Sequence, residues 1–222
     1  MIKAIITGST GMVGNSILLE CLESVDVESV LVINRKSIRM NHPKLKEIIV
    51  PDFSKISNYE NELKEYNSLF LSLGSLTTIS PKKYEHINFT IPLAVAKSVL
   101  NANPDCSVCY VSGAGADSSE KSKIMQLRIK GKTENALLGL GFKSAYMFRP
   151  TIILPDKIGK LKFLYKIFYS IIKPLNPILK ALNLAVTSEQ MGRAMINAVK
   201  NQDSKNILET KDIKDIIELS QM

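Results

Sequence analysis

Short apolar runs recur along the first two thirds of the chain and do not alternate with polar residues. Runs of this kind are typical of strands that are buried on both faces of a parallel sheet. Stretches with the spacing of amphipathic helices lie between them, at 12–23, 82–100 and 123–138. The apolar runs are 2–6, 30–33, 48–50, 69–73, 108–111 and 145–148. Strands alternating with helices predict an α/β fold, a doubly wound parallel sheet with right-handed crossovers.

Capping residues support the predicted helices. Ser80 followed by Pro81 is typical of an N-cap and a first-turn proline, and Thr187 with Gln190 matches a capping box. Pro92 falls inside the helix that follows Ser80, and we expect it to kink or divide that helix near residue 91.

Three glycines spaced three apart connect the first strand to the first helix, in the run KAIITGSTGMVG. Gly8 allows a tight turn, Gly11 a close approach of backbone to a pyrophosphate, and Gly14 close packing of helix on strand. The phosphates then lie at the helix N-terminus, where unpaired N–H groups and the helix dipole stabilise negative charge. This motif predicts a dinucleotide-binding site.

The end of the second strand indicates which dinucleotide is bound. NAD-dependent enzymes of this architecture place an acidic residue about 20 positions beyond the glycine motif, where it binds the ribose 2'-hydroxyl. Here the strand ends in Asn34, Arg35 and Lys36, so that the acid is absent and two cations are present. Cations of this kind bind a 2'-phosphate. The sequence therefore predicts NADP(H) in preference to NAD(H), the alternative being that both cations belong to a solvated strand end.

Length and composition limit the domain organisation and the location. A chain of 222 residues with 45% hydrophobic content is expected to form a single domain, 1–222. No apolar stretch reaches the roughly 18 residues that a membrane span needs, and no signal peptide is recognisable. Three cysteines fit a reducing compartment, and together these features predict a cytoplasmic protein. Cys106 and Cys109 form a C-x-x-C at a strand, where we expect a structural role; no metal site is predicted.

The segment 157–186 carries six lysines and no acidic residue, so that it supplies +6 of the formal charge of +8. Apolar residues alternate with the lysines, which indicates short helices with one apolar and one cationic face. We expect residues 151–186 to form a small basic lid over the substrate site after the sixth strand, and 187–222 to return to the core. A homodimer contact and an anionic membrane surface are the alternatives for 157–186. No recognised nucleic-acid-binding motif is present, so no nucleic-acid partner is expected.

The ordered set of motifs resembles the atypical short-chain dehydrogenase/reductases, in particular the small NAD(P)-binding branch similar to NmrA and the Tat-interacting tumour suppressor. The resemblance implies a Rossmann fold of about seven strands in the order 3-2-1-4-5-6-7. It also implies that Asp52 and Phe53 contact adenine and that the loops at Gly74 and Ser112 border the ribose and nicotinamide. The motifs are the glycine turn, Asp52, Leu73-Gly74-Ser75, Val111-Ser112, Lys130 to Glu134, and Phe148-Arg149-Pro150. The predicted cofactor-binding residues are Gly8, Ser9, Thr10, Gly11, Met12, Val13, Asn34, Arg35, Lys36, Asp52, Phe53, Leu73, Gly74, Ser75, Ser112, Lys130, Pro150 and Thr151.

Catalytic members of the family carry a Tyr four residues before a Lys, and a Ser about thirteen residues before the Tyr. Lys130 matches the Lys, but Gln126 and Gly113 occupy the other two positions, and Ser112 is adjacent. An amide cannot act as a general acid. Lys130 and Ser112 are therefore the predicted catalytic residues of a degenerate set.

Two functions follow from this incomplete set. The first is an NADPH-dependent reductase or a sugar-nucleotide epimerase/dehydratase-like enzyme with an unknown small-molecule substrate. The alternative is a non-catalytic regulator or interaction module that senses NADP(H).

Overall fold

A computed structural model describes residues 1–74, 80–156 and 184–219. Its main sheet has seven parallel strands in the order β3-β2-β1-β4-β5-β6-β9, and β7 and β8 pair separately in a two-stranded parallel sheet. The strands are β1 (Ile2–Thr7), β2 (Val27–Asn34), β3 (Leu45–Ile49), β4 (Ser68–Leu71), β5 (Ser107–Val111), β6 (Ser144–Arg149), β7 (Ile152–Leu154), β8 (Ala185–Thr187) and β9 (Ile207–Glu209). This is the predicted doubly wound parallel sheet, with the implied strand order.

Helices cover both faces of the sheet. They are α1 (Met12–Glu23), a 3-10 helix (Phe53–Tyr59), α2 (Glu60–Leu63), α3 (Pro81–Glu85), a π-helical turn (His86–Thr90), α4 (Ile91–Ala102), α5 (Met125–Leu138), α6 (Ser188–Asn201) and α7 (Thr210–Leu219). One apolar core includes residues of α1, α6 and α7, and the other includes residues of the 3-10 helix and α4. The strands between them are nearly all buried, which explains their unbroken apolar runs.

Most element boundaries agree with the sequence pattern. Helix α1 has the predicted bounds, and both predicted caps form: Ser80 accepts a hydrogen bond from the backbone N–H of Lys83, and Thr187 and Gln190 form a capping box. The fourth strand ends earlier than its apolar run, because Ser72 leaves the ladder and donates its hydroxyl to the backbone oxygen of Thr7.

Pro92 divides its helix as predicted, and the division takes the form of the π-helical turn that ends at Thr90. Proline has no N–H to donate to the carbonyl four residues earlier, which is that of Asn88. Side chains of β5 and α5 donate hydrogen bonds to that carbonyl: the Thr133 hydroxyl over 2.8 Å and the Tyr110 hydroxyl over 3.4 Å. The irregular turn therefore contributes a polar group to the core beneath the candidate site.

The predicted lid comprises residues 151–186. Their described ends include β7 and β8, which pair with each other, and residues 157–183 lie outside the described part of the chain. The lid and its two alternatives, a dimer contact and a membrane surface, remain predictions. After this segment α6 packs against α1, and β9 completes the edge of the main sheet beside β6.

Candidate functional site

The glycine turn lies where β1 and β4 are adjacent, although other strands intervene between them in sequence. Gly8 has φ +74°, and a Cβ there would lie 2.7 Å from the backbone oxygen of Ser72. A Cβ on Gly14 would lie 2.2 Å from the oxygen of Gly8. Only glycine fits these two positions without a backbone shift, so that β1, α1 and the end of β4 approach closely. Ligands bind at such a reversal of strand order in open α/β sheets.

The N-terminus of α1 presents backbone rather than side chains. Gly11 is its N-cap, the helix has no side-chain cap hydrogen bond, and its first turn contains no acidic residue. Thr10 and Gly11 are exposed, whereas Met12 and Val13 are half-buried. A helix end with uncapped N–H groups and no carboxylate suits a phosphate. These residues therefore fit the pyrophosphate of a dinucleotide.

The side chain of Asn34 is engaged by the protein. Its Oδ1 accepts a hydrogen bond from Ser9 Oγ over 2.9 Å, and its Nδ2 donates to Glu47 Oε1 over 3.1 Å. Asn34 and Ser9 are both buried, so they shape the turn and their side chains are not free donors to a ligand. Arg35 and Lys36 are exposed and form no ion pair with another described residue.

Asp52 and Phe53 begin the 3-10 helix after β3. Asp52 is its exposed N-cap and accepts a hydrogen bond from the backbone N–H of Ser54 over 2.9 Å, which lowers the pKa of the carboxyl. The Phe53 side chain is buried in the core with the 3-10 helix and α4. The Phe53 side chain is therefore not accessible to a ligand, whereas the Asp52 carboxylate is.

Lys130 of α5 points its ammonium at the end of β5. Nζ donates to Tyr110 Oη and to the backbone oxygen of Val111, each over 3.0 Å, and lies 4.7 Å from the centre of the Tyr110 ring. Burial lowers the pKa of Lys130 to about 8, and the neighbouring Tyr84 and Glu134 only partly oppose that effect. Burial raises the pKa of Tyr110, so its hydroxyl stays protonated at neutral pH.

Ser112 lies at the carboxyl end of β5, next to the carbonyl that Lys130 contacts. Its Oγ is buried and has no hydrogen-bond partner among the residues that the structure describes. Buried hydroxyls are normally paired, so an orphan at a strand end is a candidate for a ligand contact. A Cβ at the neighbouring Gly113 would meet no atom of the described residues within 4 Å, so within that part of the chain there is open space beside this hydroxyl.

Gln126 occupies the place of the family's tyrosine and is exposed on α5. Among the described residues, Tyr84 and Tyr110 are the tyrosines near Lys130, and both are buried with raised pKa values. Neither is therefore placed as an accessible acid.

The other predicted residues are positioned as follows. Leu73 is half-buried and Gly74 is exposed after β4, whereas Ser75 lies outside the described residues. Pro150 O accepts a hydrogen bond from the backbone N–H of Ala114 over 3.1 Å. The N–H of Thr151 donates to Thr210 Oγ1 over 2.9 Å. Pro150 and Thr151 thus fix the loops around the site by contacts within the protein.

A buried ion pair ties α5 to the end of β6. Arg149 donates to the carboxylate of Glu134 through Nε and Nη2, and the Glu134 side chain is fully buried. Arg149 Nη2 also donates to Ser118 Oγ, in the loop between β5 and α5. Glu134 lies one turn after Lys130, so the pair anchors the part of α5 that carries the lysine.

The histidine, cysteine and acidic side chains of the described residues are dispersed. No group of three or more His, Cys, Asp or Glu side chains there can hold a metal ion. All three cysteines are free and buried, with Cys106 and Cys109 in different cores on opposite faces of the sheet. Among the described helices, none is both long and apolar enough to cross a membrane.

Solved structures resemble this fold across nearly the whole chain. A short-chain dehydrogenase/reductase from Saccharomyces cerevisiae superposes with a TM-score of 0.68 at 15% identity, covering 97% of this chain and 99% of that one. The Bordetella bronchiseptica enzyme WbmH, in complex with NAD+, gives 0.67 at 15% identity, covering 100% and 82%. The chain has the short-chain dehydrogenase/reductase fold. MoeE5 in complex with UDP-glucuronic acid and NAD gives 0.70 at 13% identity, covering 94% and 76%.

Curated relatives correct the predicted location of this short-chain dehydrogenase/reductase-like chain. The mitochondrial protein FMP52-2 of Scheffersomyces stipitis is 27% identical over 99% of this chain and 95% of its own length. The mitochondrial protein fmp52 of Emericella nidulans is 26% identical over 89% and 87%. The cytoplasmic prediction is therefore wrong: these names point to mitochondria, and reduced cysteines argue only against oxidising compartments. No family model matches the chain.

Proposed function

We propose that the chain binds NADP(H) at the glycine turn and acts as an oxidoreductase on a small molecule that carries a carbonyl group. The observation that carries the proposal is the presence of two groups at the end of β5. They are the ammonium of Lys130 and the hydroxyl of Ser112, which has no hydrogen-bond partner among the described residues. Bound NADPH supplies a hydride, which is the chemistry the protein itself lacks.

Each part of the cofactor has candidate residues. The backbone from Gly8 to Val13 binds the pyrophosphate, and Asp52 with the backbone of Phe53 meets the adenine. Arg35 and Lys36, exposed and without an ion pair to described residues, bind the 2'-phosphate. Lys130 donates to the hydroxyls of the nicotinamide ribose.

The reacting carbonyl lies beside Ser112, whose hydroxyl donates to the oxygen and stabilises the charge that develops there. Gln126 cannot deliver a proton, so water or a residue of the proposed lid supplies it. The loss of one general acid typically costs a factor of about 10² to 10⁴ in rate, while positioning of the reactants still contributes. A slow reductase is therefore consistent with the missing tyrosine.

Sugar nucleotides are one substrate class to test, because the similar MoeE5 structure contains UDP-glucuronic acid. Quinones and aldehydes are others, and quinone reduction needs little help from a protein acid. The basic segment 157–186 is retained as the proposed lid over this substrate.

A second function rests on the exposed Gln126 in place of the tyrosine: an NADP(H)-sensing module that binds the cofactor without turnover. Oxidation of NADPH in the presence of quinones, aldehydes and nucleotide sugars separates the two. The reductase predicts turnover that falls at least about tenfold in Lys130→Ala and is unchanged in Lys132→Ala, whose ammonium instead pairs with Glu85. Tight NADPH binding without turnover of any acceptor supports the sensor.

Cofactor preference is tested by titration with NADPH and NADH. The proposal predicts tighter binding of NADPH, and Arg35→Ala should remove most of the difference. Lys64→Ala, which removes an exposed cation at the end of α2, is the control for net charge. Equal affinities in the wild type, or tighter NADH, contradict the preference for NADP(H).

A further inference from the structure

Glu47 of β3 accepts three hydrogen bonds from the segment that leaves β2. Asn34 Nδ2 and the backbone N–H of Ile38 donate to Oε1 over 3.1 and 3.0 Å, and Ser37 Oγ donates to Oε2 over 2.6 Å. These hydrogen bonds lower the pKa of Glu47, so the carboxylate is ionised at neutral pH and acts only as an acceptor. Both carboxylate oxygens are therefore occupied by donors from one short turn.

The ionised carboxylate also fixes the orientation of the Asn34 amide. Because Glu47 can only accept, the amide must present its Nδ2 to Glu47 and its Oδ1 to Ser9. Ser9 Oγ donates to that Oδ1 over 2.9 Å, and Ser9 lies in the glycine turn. A continuous chain of hydrogen bonds thus connects the proposed pyrophosphate site with the ends of β2 and β3.

Arg35 and Lys36 lie between the residues that Glu47 holds, with Asn34 before them and Ser37 and Ile38 after them. Glu47 accepts from neutral donors and forms no ion pair with either cation, although both follow directly after Asn34. The carboxylate therefore fixes the backbone on both sides of the cations and leaves their charges uncompensated by described acids. A cation pair held in this way loses less conformational freedom on binding an anion.

We propose that Glu47 is a specificity-determining residue for the 2'-phosphate of the dinucleotide, acting by holding the turn that carries Arg35 and Lys36. This inference rests on the proposed NADP(H) function. Glu47 is a positioning residue in it, since its oxygens are used within the protein. If the Glu47 carboxylate acted only through its charge, it would repel the phosphate, and Glu47→Ala would tighten NADPH binding. Because Glu47 holds the turn, Glu47→Ala should weaken NADPH binding.

The test is the ratio of NADPH to NADH dissociation constants, measured by titration calorimetry for the wild type and Glu47→Ala. We expect the NADPH dissociation constant to rise by about fivefold or more, the equivalent of one or two lost hydrogen bonds, and that of NADH to change by less than about twofold. Ser37→Ala keeps the carboxylate and removes its 2.6 Å hydrogen bond, together with the 3.1 Å hydrogen bond from the backbone N–H of Arg39 to Ser37 Oγ. It should therefore shift the ratio in the same direction by a smaller factor.

Glu28→Ala is the matched control, because Glu28 is a carboxylate on β2 that pairs with Lys3 over 3.3 Å away from this turn. It should leave the ratio unchanged. Should Glu47→Ala not fold, Ser37→Ala at its exposed position decides alone. Unchanged or tighter NADPH binding in a folded Glu47→Ala or Ser37→Ala variant overturns the inference while leaving the proposed function intact. Failure of the wild type to bind either dinucleotide overturns both.

Discussion

As the pH rises, loss of the Lys130 proton should stabilise the wild-type protein and weaken its binding of the cofactor. Replacing Lys130 with methionine should remove both changes. Methionine keeps much of the side-chain volume and removes the buried ammonium, which donates to Tyr110 Oη and the oxygen of Val111. Costs that do not depend on pH, such as two acceptors left without this donor, cancel when the two proteins are compared across a pH range.

The magnitude follows from the pKa of Lys130, which burial lowers from 10.5 to about 8. Between these two values the unfolded chain binds a proton that the native protein has lost, so stability rises with pH. The difference in pKa corresponds to about 3 kcal/mol at most. The gain in stability that accompanies loss of the Lys130 proton is complete above pH 10.5 and is lost as the pH falls through about 8.

Urea denaturation at several pH values between 7 and 10.5 measures this effect. Relative to Lys130→Met, the free energy of unfolding of the wild type should increase by about 2 to 3 kcal/mol across the range. NADPH affinity of the wild type should fall over the same range as the ammonium loses its proton, and that of the variant should vary much less. Parallel stability curves for the two proteins would refute a lysine whose pKa is lowered by burial.

Three further predictions concern the ion pair, the glycine turn and the thiols. Arg149→Met leaves the fully buried Glu134 unpaired and should lower the free energy of unfolding by about 3 to 5 kcal/mol, against at most about 1 for Lys200→Met at an exposed pair; equal losses in urea melts would contradict this. Gly14→Ala, whose Cβ would lie 2.2 Å from a carbonyl oxygen, should weaken NADPH binding by at least about tenfold in calorimetry, whereas Gly139→Ala, at the C-cap of α5 with its nearest contact at 3.3 Å, should not; equal affinities would count against the turn. The three buried cysteines, whose pKa values burial raises, should not react with a thiol reagent at pH 8 until urea unfolds the protein, and rapid labelling of native protein would contradict their structural role.

Sequence reasoning recovered the sheet because its signals are local. Unbroken apolar runs identify strands that are buried on both faces, and the glycine spacing places α1 at the observed residues. The strand order followed from a family resemblance, not from periodicity, since the order depends on contacts between distant segments.

The residues that the sequence did not reveal act through tertiary contacts. Glu47 reaches Asn34 only because β3 pairs with β2 in one register, and Tyr110 reaches Lys130 only because α5 packs against β6, the neighbour of β5 in the sheet. Pro92 was a visible signal for an irregular helix, but no pattern shows that side chains of β5 and α5 donate to the Asn88 carbonyl. A pattern along the chain carries no direct record of such pairings.

The charge at the end of β2 was only partly predictable from the sequence. The sequence has no acid at Asn34, yet Glu47 brings a carboxylate to that amide from the neighbouring strand. Its oxygens are occupied by donors of the protein, so the available charges at this end of the sheet remain those of Arg35 and Lys36.

The central claim is that this chain binds NADP(H) at the glycine turn and prefers it to NAD(H). Calorimetric titration of the wild-type protein with NADPH and, separately, with NADH measures both parts at once. The account predicts one NADPH bound per chain, more tightly than NADH by about tenfold or more, as a charge-assisted contact to the 2'-phosphate requires. Absence of binding at millimolar NADPH, or tighter binding of NADH, would contradict it.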